Sequence, residues 1–330
     1  MQKIRIDAFA SQPHYYDHIK PIWDVLDAEG TFFVTPGAHR PGQRTAALMP
    51  NGVPTIVAGY PDLKRIRGRP AIFVEHGIGE TYGRNHPNYS GGSGRQMINL
   101  FLCPNERVAE ANRVYDAPSV VVGSPWLESL PKREIEIVER PKVVVSFHWN
   151  CLVFAQTKTA LYHYQPFFSS WNHLDIMGHA HPRIADRAER IFAKAGIGFI
   201  REFRDVIEWA DVYAVDNSST LFEAKACGLD VVVLDAPHYP PEETGFRFWK
   251  YADIGPRISE GSELPDAVLQ ANYKRVSYDA TEMIAEVFGT VEGSAARAAK
   301  AINDNFRWQG SNSPADSRSV PSQPSLFGIG

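Results

Sequence analysis

Short β-branched runs bounded by turn residues alternate along most of this chain with segments of helical period, and no single motif constrains the fold as much. Parallel strands joined by crossover helices produce that alternation, so the fold class is α/β. In the first half the runs predict strands at Ile4–Phe9, Phe32–Val34, Thr55–Ala58, Ala71–Val74, Leu100–Cys103 and Ser119–Val122, with helices at His18–Ala28 and Glu106–Tyr115. A charged stretch, Pro131-Lys132-Arg133-Glu134-Ile135-Glu136, reads as a linker and puts the domain boundary between residues 130 and 141. Beyond it, strands are predicted at Val143–Phe147, Leu174–Met177, Gly198–Ile200, Val212–Val215 and Val231–Leu234, with helices at Arg183–Ala195 and Thr220–Cys227, which makes a doubly wound sheet. Helical periodicity returns at Glu263–Gln270, Ala280–Phe288 and Ala295–Phe306, and the Ser- and Pro-rich stretch 309–330 is expected to be a disordered tail. The expected division is therefore an N-terminal domain over 1–135, a C-terminal domain with closing helices over 136–308, and the tail.

A length of 330 residues suits two domains. With 34 basic against 38 acidic side chains, a net charge of -4, the chain lacks the footprint of a general nucleic-acid binder. Its apolar runs fall far short of a membrane span, and no feature indicates peripheral membrane contact. Cys103, Cys151 and Cys227 are odd in number and far apart, which disfavours a disulfide framework or a cysteine zinc site. The segment Met1–Asp7 shows no secretory pattern, so the cytoplasm is the expected compartment.

In open parallel sheets, ligands bind outside the carboxyl ends of strands. Four strand ends stand out: Glu75-His76-Gly77, His148-Trp149-Asn150, Gly178-His179-Ala180-His181-Pro182-Arg183 and Asp216-Asn217-Ser218-Ser219-Thr220. The last runs straight into a helix, where hydroxyls and backbone N–H groups at the positive dipole end make a cradle for a diphosphate; the structural alternative is that Asn217 or Ser218 caps the helix. His76, beside a glycine that permits close approach, suits a general base, with Glu75 and Glu80 as rivals and a purely structural imidazole as the plainer reading. His179 and His181 lack further ligands at a familiar spacing, so no metal is expected there; a histidine of this segment together with Arg183 is assigned to a phosphate. The P-loop, the dinucleotide fingerprint and the nucleophile elbow are absent from the sequence, as is a D-x-D carboxylate pair.

On these residues the chain resembles the CDP-glycerol glycerophosphotransferase family of teichoic-acid-type polymerases. The resemblance runs from about residue 70 to 260. It is carried by Glu75-His76-Gly77, Gly123-Ser124-Pro125-Trp126, His181-Pro182, Asp205–Asp211 with Asp216–Glu223, Pro237-His238-Tyr239, Thr244–Phe248 and Gly255-Pro256. It implies the GT-B architecture, two Rossmann-like domains facing a cleft, and a transferase that moves a glycerophosphate or glycosyl group from a nucleotide-diphosphate donor to an acceptor hydroxyl. It further implies His76 as catalytic base, His181 as a phosphate ligand, Ser218, Ser219 and Thr220 as the donor diphosphate site, and Glu223 near the ribose or the transferred group. The chain departs from the family pattern at Ile78-Gly79-Glu80, His179 and Trp126. Two other readings stand beside it: a related GT-B sugar-nucleotide epimerase or hydrolase, and a catalytically silent nucleotide-sugar-binding module.

Overall fold

The computed structural model describes residues 4–35, 44–45, 52–66, 68–76, 92–134, 136–150, 158–239, 252–274 and 278–306. The expectations for Gly77, Glu80, Cys151, the Thr244–Phe248 segment and the 309–330 tail lie outside these residues.

Two parallel sheets organise the chain. In the first, the strands lie in the spatial order Arg44–Thr45, Phe32–Val34, Asp7–Ala10, Thr55–Val57, Ala71–Val74, Ile98–Cys103 and Ser119–Val121. The second runs Gly198–Phe199, Asp175–Ala180, Lys142–Phe147, Val212–Val215, Asp230–Leu234 and Arg257–Ile258. Each sheet steps outward from its first long strand, then reverses and continues on the other side, the doubly wound pattern. In the second sheet Val143 pairs with both Ile176 and Val212, so Lys142–Phe147 lies where the order switches. Asp7–Ala10 holds the same place in the first sheet, between Phe32–Val34 and Thr55–Val57. Helices cover both faces, which is why Val143-Val144-Val145 and Val231-Val232-Val233 are uninterrupted apolar runs with no exposed surface.

The helix after the first strand spans Pro13–Val25 and begins earlier than the expected His18. Pro13 stands in its first turn, where its fixed φ is already helical and its missing N–H costs nothing. Several short elements also carried too little periodicity to be read, among them the edge strand Arg257–Ile258 and the helices Tyr60–Arg65, Pro125–Ser129 and Leu161–Tyr164.

The linker is fastened to the second sheet: the Arg133 N–H donates to the Cys227 carbonyl at 2.9 Å, and the guanidinium reaches the Ala210 carbonyl and Asp211 Oδ1. Gly228 makes this possible, since its φ is +98° and a Cβ there would lie 2.3 Å from the Arg133 oxygen. The final helix, Ser294–Phe306, departs from the 136–308 assignment. Its Ala298, Ala299, Ala301 and Ile302 pack into the core of the first sheet. Small side chains let that backbone approach closely. Glu128 fixes the entry by accepting from the Gly293 and Ala295 N–H groups and the Ser294 hydroxyl, completing the orphan donors of the helix start.

Beneath the first sheet Asp7 and Arg69 form a buried ion pair at 2.5 Å, with Asp7 also accepting from the Thr31 N–H and Arg69 donating to the Val53 carbonyl. Both side chains are 2% exposed, so removing one partner leaves an uncompensated charge. Replacing Arg69 by Met is expected to cost about 3 kcal/mol or more in urea unfolding; a loss below about 1 kcal/mol would mean the pair is solvated.

Candidate active site at the facing strand ends

The two switch points deliver their side chains to one crevice. From the first lobe come His14, Tyr15 and His18 on the opening helix, and His76 after Ala71–Val74. From the second come His148 after Lys142–Phe147, and His181 and Arg183 after Asp175–Ala180. Ring centroids lie 5.3 Å apart for His18 and His76, 6.4 Å for His14 and His76, 5.3 Å for His14 and His181, and 5.2 Å for His148 and His181. The His14 to His181 contact crosses between lobes. So does a 3.4 Å hydrogen bond from Arg183 Nη2 to the Tyr15 hydroxyl.

Five imidazoles this close cannot all carry charge. Burial holds His76 down to about 4, opposed by the neighbouring Glu75 and the Ala58 backbone and assisted by Arg183. His14 falls to about 3 and His148 to about 4, burial being the main cause in each. His18 and His181 are depressed further by burial and by the surrounding imidazoles. At neutral pH the cluster is therefore uncharged, and Arg183 supplies its cation. The Arg183 backbone N–H donates to His181 Nδ1 at 3.1 Å, which leaves the ring proton of a neutral His181 on Nε2.

Glu75, the nearest rival base, is committed elsewhere. Its carboxylate pairs with Arg95 at 2.6 Å and accepts from Asn112 Nδ2 at 2.8 Å, while Arg95 also donates to the Tyr60 hydroxyl. That buried network anchors the strand end that carries His76.

Asp216 organises the second lobe's side of the crevice. Fully buried, it accepts from the backbone N–H groups of His148 at 2.7 Å and Ala160 at 2.9 Å. Burial raises its carboxyl to about 7 against these bonds. Beside it, Asn217 and Ser218 are buried and Ser219 and Thr220 partly so. The helix they open, Thr220–Ala226, is only seven residues long. Its Ser219 N-cap makes no side-chain capping bond, and the Ser218 and Thr220 hydroxyls bond each other at 2.8 Å, with Thr220 also meeting the Tyr213 hydroxyl at 2.9 Å. Glu223, on the helix that follows, is buried with its carboxyl raised to about 7 by that burial, and its hydrogen-bond partner is Trp126, which packs against the second core. Trp126 in turn packs against His18 with centroids 5.7 Å apart.

His179 leaves the cluster altogether. It sits in the second core, Nδ1 2.7 Å from the Ser146 hydroxyl, against Phe203 and Tyr213; the strand ends at Ala180, so the two-residue period that would have put His179 and His181 on one side does not reach His181. Among the described residues, no group of three or more His, Cys, Asp or Glu is arranged to hold a metal ion. No helix of the described residues is long and apolar enough to cross a membrane. His14, Tyr15 and His18 escaped the sequence reading although the strand-end rule that selected His76 applies equally to the first strand.

Two doubly wound sheets that meet at their carboxyl edges define the GT-B fold. The comparisons agree. The chain is similar to a putative UDP-N-acetylglucosamine 2-epimerase from Listeria monocytogenes (TM-score 0.60, 13% identity, 93% of this chain and 97% of that one). It is similar to a variant of the wall teichoic acid polymerase TagF with CDPG (TM-score 0.64, 12% identity, 93% and 90% covered). It is also similar to S. aureus MnaA in a co-structure with UDP (TM-score 0.57, 13% identity, 99% and 100% covered). At these identities the likeness is one of fold. No protein-family profile matches the chain, and no curated protein matches it in sequence.

The depressed imidazoles make stability depend on pH. Unfolded histidines titrate near 6.5 and these titrate well below, so between those values the unfolded state binds more protons. Their contribution is full above pH 6.5 and falls as the pH drops toward 4. Asp216 and Glu223, raised to about 7, act in the opposite sense over part of that range but are fewer. Urea unfolding is expected to show lower stability at pH 5 than at pH 7, and His14→Gln should shrink that difference. An equal difference in the variant would show that His14 titrates as a solvated group.

Proposed function

We propose that the chain is a GT-B enzyme that uses a nucleotide-diphosphate donor and transfers its glycerophosphate or glycosyl group to an acceptor hydroxyl. The observation that supports this best is the crevice itself: a neutral imidazole, His76, on one lobe faces the guanidinium of Arg183 and the N–H of His181 on the other. A base and an anion site on opposite walls are what the transfer of an anionic leaving group requires. The neighbours of known structure include proteins solved with UDP and with CDPG, which agrees with such a donor.

In this reading the acceptor lies on the first lobe and the donor on the second. His76 takes the proton of the acceptor hydroxyl, whose oxygen attacks the donor phosphorus or anomeric carbon. The bond to the nucleotide breaks, and the charge that develops on the departing phosphate is met by Arg183, His181 Nε2–H and the backbone at Ser219. In the free protein an imidazole near 4 is a weak base. The bound donor corrects this, because an anion beside an imidazole favours its protonated form.

The epimerase reading keeps some support, since one of the three structures named above is a putative UDP-N-acetylglucosamine 2-epimerase. It needs a carboxylate free to remove a proton from a sugar carbon, and Glu75 is spent on Arg95. The transferase is the stronger proposal.

CDP-glycerol and UDP-, GDP- and TDP-sugars should be screened by thermal shift and by nucleotide release. At least one is expected to stabilise the protein, with His76→Ala lowering kcat by about a hundredfold or more while donor affinity is retained. If no nucleotide raises the melting temperature, the reading fails.

A further inference from the structure

Arg183 is exposed by area, yet its guanidinium is held on two sides. Its central carbon lies 4.3 Å over the Trp149 ring, a cation–π contact from its own lobe. Its Nη2 donates to the hydroxyl of Tyr15 from the opposite lobe. An unrestrained arginine has many rotamers and loses that freedom on binding an anion; one held in place does not. Tyr15 is itself held. It is 4% exposed, its ring lies 4.2 Å from His14 and 5.3 Å from His76, and it rests on Gly59, where a Cβ would come within 2.2 Å of the ring. Any larger residue at 59 would displace the tyrosine. A phenol with so little room to move, its hydroxyl on the cation of the facing lobe, is an aiming device.

We propose that Tyr15 is a positioning residue for Arg183: with Trp149 beneath, it turns the guanidinium fork into the crevice so that Nη1 and Nε remain for the two phosphates of a nucleoside diphosphate. This rests on the nucleotide-diphosphate reading above and adds a residue that no strand-end motif selected. The same contact links anion capture on the second lobe to the wall that bears His76, since Tyr15 touches both Arg183 and His76.

The test is a double-variant cycle on Tyr15→Phe and Arg183→Gln, read by isothermal titration with UDP, CDP and inorganic pyrophosphate. Phenylalanine keeps the ring and removes only the hydroxyl, so the melting temperature should hold while affinity falls about five- to tenfold. Arg183→Gln should fall further, and the double variant should bind no worse than Arg183→Gln alone. Arg183→Lys, which keeps the charge without the fork, should bind weakly and be insensitive to Tyr15→Phe. Additive losses in the double variant, or wild-type affinity in Tyr15→Phe, would overturn the assignment while leaving the nucleotide reading intact. Coupled loss with pyrophosphate and no nucleoside diphosphate binding would uphold the aiming role and sink the nucleotide reading; no binding of any of the three would overturn both.

Discussion

A parallel sheet must send every crossover the same way, so all its strands finish on one edge, and this chain has two such edges turned toward each other. Everything chemical in the molecule follows from that constraint. The first strands after each start, Asp7–Ala10 and Lys142–Phe147, sit at the reversal of strand order, where neighbouring crossovers diverge and leave room. Into that room each lobe delivers short-range side chains, and the two sets come within contact distance: His14 with His181, Tyr15 with Arg183.

Confinement then sets the electrostatics. Packing imidazoles together with little water drives each toward its neutral form, so among the described residues the crevice sets a proton-accepting wall against the guanidinium of Arg183. Buried networks keep the wall still. Arg95, Asn112 and Tyr60 brace Glu75 behind His76, and Asp216 ties the His148 and Ala160 backbones together. Glu223 with Trp126, and Trp126 with His18, add a second bridge between lobes behind the crevice.

Much of this was legible in the residues. Ala71–Val74, Val212–Val215 and Phe32–Val34 were readable to the residue because each is a fully apolar or β-branched run closed by polar turn residues. His76, His148 and His181 follow such runs directly, so the strand-end rule points at them. The burial of His179 and Glu223 was not legible, because sequence spacing does not say where a strand stops or which side of a helix a residue faces. The contribution of Trp126 and Tyr15 was hidden for a different reason: each matters through a partner more than 90 residues away, on the other lobe, and local pattern carries no record of that pairing.

The return of Ser294–Phe306 to the first lobe has its own consequence. Within the described residues the polypeptide passes between the lobes twice, once between Val122 and Leu127 and again between Phe288 and Ser294, so two segments join the halves. Such a joint permits rotation about the line through both crossings and resists twisting or drifting apart. It also means that the first lobe is built from both ends of the described chain: a fragment stopped at residue 135 would expose Ile19, Ile22 and their neighbours where alanines 298, 299 and 301 now cover them.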